Sequence, residues 1–445
     1  MTGAGGAVCG PQGGGVRPRA GSCVVTMFAQ AVSSSPICTV RATSAASRPV
    51  ARVGVRPLRR SVVSRVASVE APATNSPHCD EARTGNFAAP PFTLKDIRDA
   101  IPDHCFERDS WRSMDYLIKD VVVVAALAYF AATANSWLVW PLYWLAQGTM
   151  FWALFVVGHD CGHGSFSGNS ALNQWIGRIT HTSILVPYNG WRISHRTHHA
   201  NHGHIENDES WVPMTKSIYD KLPWTTIIGR FTPINLFAFP IYLAQGAPGK
   251  EGSHYDPNNR RLFNAEEGKM VSFDNKLQLA FLGLQGVLAA TLGIGTMFKL
   301  YWMPWLVYVA WLDFVTFMHH HGAADEEDVV PWYRGEEWSY LRGGLSTRDH
   351  DYGMFNSIHH DIGTHVAHHL FPTIPHYNLR EATNAIKPVL GDYYKEPKKA
   401  PGPFPFHLIK EYFRSLKQDH YVVDDAEVLR QQTDPNIMKR ANPTA

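Results

Sequence analysis

From Val121 to Gly158 the chain carries no charged side chain, and this stretch limits the fold more than any other. As one helix it would extend roughly 57 Å at about 1.5 Å per residue, nearly twice the hydrocarbon thickness of a bilayer. It must fold back on itself, and Asn135-Ser136 is the polar place to do so. A second uncharged run covers Leu277 to Phe298. Lys299 punctuates it before Leu300 to Met318, where Asp313 is the only charge. Runs longer than about 18 apolar residues fit poorly as core helices of a soluble protein. The pattern predicts an all-α integral membrane protein with four transmembrane helices, near 117–134, 137–157, 277–298 and 300–318. Trp137, Trp140, Trp144, Trp302 and Trp305 lie near the expected span ends, as an aromatic belt would place them.

Histidines gather where these runs stop. His159-Asp-Cys-Gly-His163 follows the second run, and His195-Arg-Thr-His198-His199 comes soon after. His365-Val-Ala-His368-His369 follows the fourth. Residues three and four apart share a helix face, so each cluster is expected to act as a half-shell for a metal. Eight imidazoles exceed what one ion uses, and the pattern points to a two-metal centre. Imidazole suits iron, zinc, copper and nickel, whereas magnesium and calcium call for oxygen ligands. A structural zinc site needs only four ligands, cysteines usually among them, and Cys161 reads better as a small packing residue. None of the clusters has a carboxylate at a ligand position, unlike the Glu-x-x-His pattern of soluble di-iron bundles.

Three consecutive histidines, His319 to His321, close the fourth run, and His320 is the expected ninth ligand. Asp160, Asn207, Asp208, Glu209, Asn356, His359, His360 and Asp361 flank the clusters. Among them Asp160, Asp208, Asn356, His359 and Asp361 are candidates for accepting or donating hydrogen bonds to ligand imidazoles, which usually engage such groups through the other ring nitrogen. With the site at a membrane surface, close to lipid chains, oxidation of an apolar C–H bond is the reaction type favoured over two-metal hydrolysis, which usually involves bridging carboxylates and polar substrates.

Topology constrains the same site. The first two clusters follow the second span and the third follows the fourth, so all lie on one side of the membrane if Phe231 to Ala247 does not cross. Pro233 and Pro240 interrupt that apolar piece, which reads as interfacial or re-entrant. The first 69 residues hold nine Arg and no Lys, Asp or Glu. That is a targeting composition, and it defines a leader at 1–70, a surface segment at 71–116 and a membrane domain at 117–445. Thr93 and Asp96 are placed to cap a short helix within the surface segment. The six cysteines do not make a disulfide framework, and a net charge of +2 gives no reason to expect a nucleic-acid partner.

Several long motifs, in order, resemble the membrane fatty acid desaturases, and in particular their plastid omega-3 branch. They are Pro90-Pro-Phe-Thr-Leu-Lys-Asp-Ile-Arg98, Gly158-His-Asp-Cys-Gly-His-Gly-Ser-Phe-Ser167, Gly190-Trp-Arg-Ile-Ser-His-Arg-Thr-His-His199, Trp332-Tyr-Arg-Gly-Glu-Glu-Trp338 and the stretch from His359 to Tyr377. The resemblance implies a non-haem di-iron enzyme in a multi-pass plastid membrane. Its two irons would be bound by His159, His163, His195, His198, His199, His365, His368 and His369, with His320 as the ninth ligand. It further implies dioxygen as oxidant, acyl groups of membrane glycerolipids as substrate, conversion of dienoic into trienoic chains, and ferredoxin as electron donor. The sequence has no His-Pro-Gly-Gly segment of a fused b-type cytochrome and no lysine-rich retrieval signal in Arg440 to Ala445, both in keeping with a plastid address. An omega-6 desaturase, or a hydroxylase or acetylenase on the same scaffold, is the alternative. A membrane metal-handling protein is the alternative from another class, disfavoured because transporters place their ligands near mid-membrane.

Overall fold

The computed structural model describes residues 88–134, 136–321 and 330–437. The expected leader and the segment Arg440 to Ala445 lie outside them. The described chain is helical apart from two short two-stranded pairs. Helix α1 (Leu94–Ala100) starts with the expected capping box, the Asp96 amide donating to Thr93 Oγ1 and the Thr93 amide to Asp96 Oδ2. Two long helices follow, α2 (Ser110–Thr133) and α3 (Val139–His163), and the expected break at Asn135-Ser136 falls between their ends. Then come α4 (Ser170–Ser183), α5 (Tyr188–Asn201), α6 (Lys216–Tyr219), α7 (Trp224–Phe231) and α8 (Phe239–Gln245). A 28-residue helix, α9 (Ala265–Leu292), precedes α10 (Ile294–Met297) and α11 (Met303–His320). The remainder holds α12 (Tyr340–Gly344), α13 (His365–Leu370), α14 (His376–Leu390) and α15 (Phe406–Gln418).

Helix α3 is central among the described helices. It packs against α2, α4, α5 and α11 and is buried almost continuously from Gln147 to Cys161. Its side chains and those of α11 form most of the main apolar core, with Trp152, Phe155, Tyr308 and Phe317 prominent. Two stretches among the described residues, Ser110–Thr133 and Ile294–His320, are helical, long and apolar enough to cross a membrane. The Phe231 piece breaks into α7, a 3-10 turn at Pro233–Phe237 and α8. Each piece is far shorter than the roughly 20 residues a span needs.

The expected break at Lys299 is corrected. The helix breaks at Gly293, whose φ of 91° is accessible to glycine and strained for other residues. From Ile294 the chain stays helical to His320 through a π turn at Phe298–Trp302. Lys299 fits inside this helix because its ammonium lies 4.5 Å from the centre of the Trp140 ring and its carbonyl accepts from Trp144 Nε1. Asp313, the lone acid of the fourth run, has a structural task as well: its carboxylate accepts from the Phe239 amide at 3.0 Å and so caps α8.

Candidate metal centre

The three histidine clusters are all helical, and each helix is fixed by contacts outside it. Helix α3 stops after His163 because Gly164 turns left-handed (φ 73°) and its amide closes onto the Asp160 and Cys161 carbonyls. Helix α5 is fixed at its start by Asp274 of α9. That carboxylate accepts from the Asn189 amide at 2.6 Å and from its side chain at 2.7 Å, and it pairs with Arg178 of α4. One buried acid thus ties three helices together. Helix α13 is capped from outside by Asp349, which accepts from the Val366 amide at 2.8 Å and from Tyr394 Oη at 2.7 Å.

These helices, with the end of α11, bring nine imidazoles into two adjoining groups. His159, His163, His195, His199 and His368 each offer a ring nitrogen, all within 4.8 Å of one another. His198, His320 and His369 form a second set by the same measure. His365 joins it, with Nε2 3.3 Å from His320 Nε2 and 3.1 Å from His369 Nε2. The half-shells expected of the second and third clusters are divided between the two groups. His195 and His199, four apart, face one position while His198 faces the other. In α13 the assignment is reversed, with His365 and His369 at the second position and His368 at the first. Consecutive helical residues diverge by about 100°, and the His198 and His199 rings lie at 84° to one another, the His368 and His369 rings at 90°.

The donor chemistry fits metal ions. His198 Nδ1 lies 2.6 Å from Asp208 Oδ1, so it carries the proton and donates. Its Nε2 is then a lone pair, buried and without a hydrogen-bond partner. Burying such an acceptor unpaired is costly, and a cation satisfies it. At His159, Nδ1 faces Asp160 Oδ1 at 3.4 Å and Nε2 faces His163 Nε2 at 3.2 Å, two ring nitrogens turned toward one another. Burial, then the neighbouring imidazoles, holds His195, His199, His365, His368 and His369 well below the ordinary histidine pKa, so they are neutral and free to donate lone pairs. Burial alone would raise Asp208, but the His198 and His202 imidazoles that donate to it hold it below the usual carboxylate range.

The structure distributes the other sequence candidates unevenly. Asp160 and Asp208 touch cluster histidines as expected. Asn356 instead binds Asp351 and the Tyr352 amide, and Asp361 pairs with Arg380. His359 is fully buried among Trp152, Trp311, Tyr352 and Phe355, away from both groups. Of the three histidines closing α11, His320 alone joins a group. His319 donates from Nδ1 to the Arg348 carbonyl at 2.6 Å and stacks on His365, and His321 stacks on Phe317. Cys161 is a buried core residue. Two partners were not anticipated. His202 donates to Asp208 at 3.1 Å, and His376 donates to Asp160 at 2.9 Å. The first had a signal, since His202 lies four residues after His198 on one helical face. The second had none short of the fold.

A family described as fatty acid desaturase matches residues 135–398, and a domain of unknown function matches 26–129. A Helianthus annuus protein named sn-2 acyl-lipid omega-3 desaturase (ferredoxin), chloroplastic, is 60% identical over 353 residues, 79% of each chain. A Glycine max chloroplastic omega-3 fatty acid desaturase is 59% identical over 351 residues, covering 79% of this chain and 77% of its own. A Nicotiana tabacum omega-3 fatty acid desaturase of the endoplasmic reticulum is 56% identical over 355 residues, 80% of this chain and 92% of its own.

Proposed function

This chain belongs to the fatty acid desaturase family, and from that membership we propose that it is a chloroplast omega-3 acyl-lipid desaturase. Its reaction is the insertion of a cis double bond into dienoic acyl groups of membrane glycerolipids, linoleoyl to alpha-linolenoyl and hexadecadienoyl to hexadecatrienoyl, using dioxygen and two electrons from ferredoxin. The observation that carries the reading is identity of 56–60% over at least 351 residues with proteins named omega-3 desaturases. The tobacco relative belongs to the endoplasmic reticulum, so the desaturase domain does not by itself select a compartment. The acid-free, arginine-rich stretch at 1–69 supports the plastid and a leader at 1–70.

In this reading His159, His163, His195, His199 and His368 hold one iron, and His198, His320, His365 and His369 hold the other. Iron held there would supply activation of dioxygen for the removal of two hydrogens from the acyl chain. The chain's own residues prepare the site. Asp208 and Asp160 keep the Nδ1 protons on His198 and His159 and leave each Nε2 facing inward. Trp191 stacks on His195 at 4.5 Å and touches Phe155. Phe155 and Trp152 stack in turn, giving an apolar floor that suits a hydrocarbon chain and excludes water.

The four-span topology belongs to the same proposal. It consists of α2, α3, the uncharged second half of α9, and α10 with α11. The C-terminal ends of α3 and α11 meet at one centre, which requires an odd number of crossings between them, and α9 supplies one. The test is acyl-chain profiling with double-bond location in a yeast or cyanobacterial host that makes linoleoyl lipids and expresses residues 71–445 with ferredoxin. New alpha-linolenoyl chains are expected. New linoleate from oleate would replace the reading with omega-6 desaturation, and hydroxylated chains with a hydroxylase.

A further inference from the structure

Helix α15 has three faces. At about 100° per residue, Leu408, Glu411, Tyr412, Ser415 and Leu416 cover one side, and all are buried. Phe406, Ile409 and Phe413 fall within about 60° of one another on the adjoining side and are 68%, 42% and 44% exposed. Lys410, Arg414 and Lys417 occupy the next about 60°. A water-soluble surface helix has two faces, apolar inward and polar outward. A third face that is apolar yet exposed, with a basic strip beside it, suits a helix lying in the plane of a lipid headgroup layer.

Its position in the fold agrees. Tyr412 packs on Phe314 and Phe317 of α11, with ring centres 5.7 and 5.3 Å apart. These are the last turns of the fourth apolar run, the level at which hydrocarbon gives way to headgroups. Tyr412 Oη also donates to Asn235, in the segment where Ile234, Phe237 and Ile241 are likewise exposed. On the other side Phe404 lies 6.0 Å from Phe355, and the Pro403 carbonyl accepts from the Met354 amide at 2.9 Å. This loop leads into the third histidine cluster.

We propose that α15, with the Pro233–Phe237 turn and α8 beside it, is an in-plane membrane anchor whose occupant is the glycerolipid bilayer surface, the phenylalanine face entering the acyl boundary and the basic strip meeting anionic headgroups. The anchor joins the loop before His365 to the lipid that carries the substrate. The inference rests on the membrane-spanning part of the proposed function.

The test uses the full-length iron-loaded protein in nanodiscs of mixed neutral and anionic glycerolipid. Cys9, Cys23, Cys38 and Cys79 are replaced by Ser, the described Cys105 and Cys161 being buried. Single spin labels are placed at Ile409→Cys, Phe413→Cys and Lys417→Cys, and at Val122→Cys on the exposed side of α2 as a span control. Labels at 409 and 413 are expected to collide with oxygen several-fold more often than with a water-soluble nickel chelate, with the reverse at 417. Nickel access at 409 and 413 with a lipid-exposed 122 would overturn the anchor and leave the spans intact. Nickel access at 122 as well would remove the membrane-spanning reading beneath it. Labels at 409 and 413 shielded from both reagents and dipolar-broadened would mean that a second copy covers the face, and would overturn the proposal.

Discussion

The two proposed ion positions share α5 and α13 but are not built in the same way. The first draws five imidazoles, two of them from α3, a long buried helix held on several sides. The second draws four, from α5, α13 and the last residues of α11. Their carboxylate backing differs in the opposite sense. Asp208 behind the second position is fully buried and lies 2.6 Å from His198, whereas Asp160 lies 3.4 Å from His159 and sits closer to His376. A position rich in donors is thus backed loosely, and a position with fewer donors is backed tightly.

This contrast can be broken by experiment. The largest effects are expected from the ligands themselves. His198→Ala is predicted to abolish desaturation while the protein stays in the membrane, since the apolar helices are untouched. Total iron should drop further in His320→Ala, one donor of four, than in His163→Ala, one of five. Equal iron in the two variants would erase the distinction. Next in size is the backing: Asp208→Asn is expected to weaken metal retention by about 10–100-fold and Asp160→Asn by less, as read by chelator competition on purified protein. His202→Ala should fall below both, because it removes one hydrogen bond from Asp208 and leaves the His198 contact, and a loss as large as that of Asp208→Asn would make His202 more than a prop. Smallest is Lys299→Met, which gives up a cation–π contact worth about 0.5–1 kcal/mol at an exposed site and touches neither ion. Its melting temperature should shift by a few degrees at most with iron unchanged.

Much of this was legible before any fold was known. Helical spacing put the histidines within each cluster on shared faces and placed the Thr93 cap, and nearness in sequence made Asp208 a candidate partner, because in each case the residues lie within a few turns of one chain segment. What periodicity does not report is which neighbour a face meets. His376 reaches Asp160 across 216 residues, and no local pattern announces that contact. The same limit explains Asn356 and Asp361, polar residues that sit beside the third cluster in sequence but hold the loop instead. Lys299 failed as a span boundary for a related reason. A charge ends an apolar run in sequence, yet a long side chain can place its ammonium on an aromatic ring while the backbone stays helical.

The reciprocal use of the His198-His199 and His368-His369 pairs has a consequence for how the enzyme tolerates its solvent. A bilayer thickens, thins and stiffens with temperature and acyl composition, and the helices within it tilt in response. Were each ion held by its own set of helices, every such adjustment would alter the interval between the metals. Here α5 and α13 each reach both positions from neighbouring residues, so a rigid shift of either helix would carry both proposed ions with it. Helices α3 and α11 each reach one position only, so α5 and α13 would be the elements that tie the two positions together while the apolar helices adjust to the lipid.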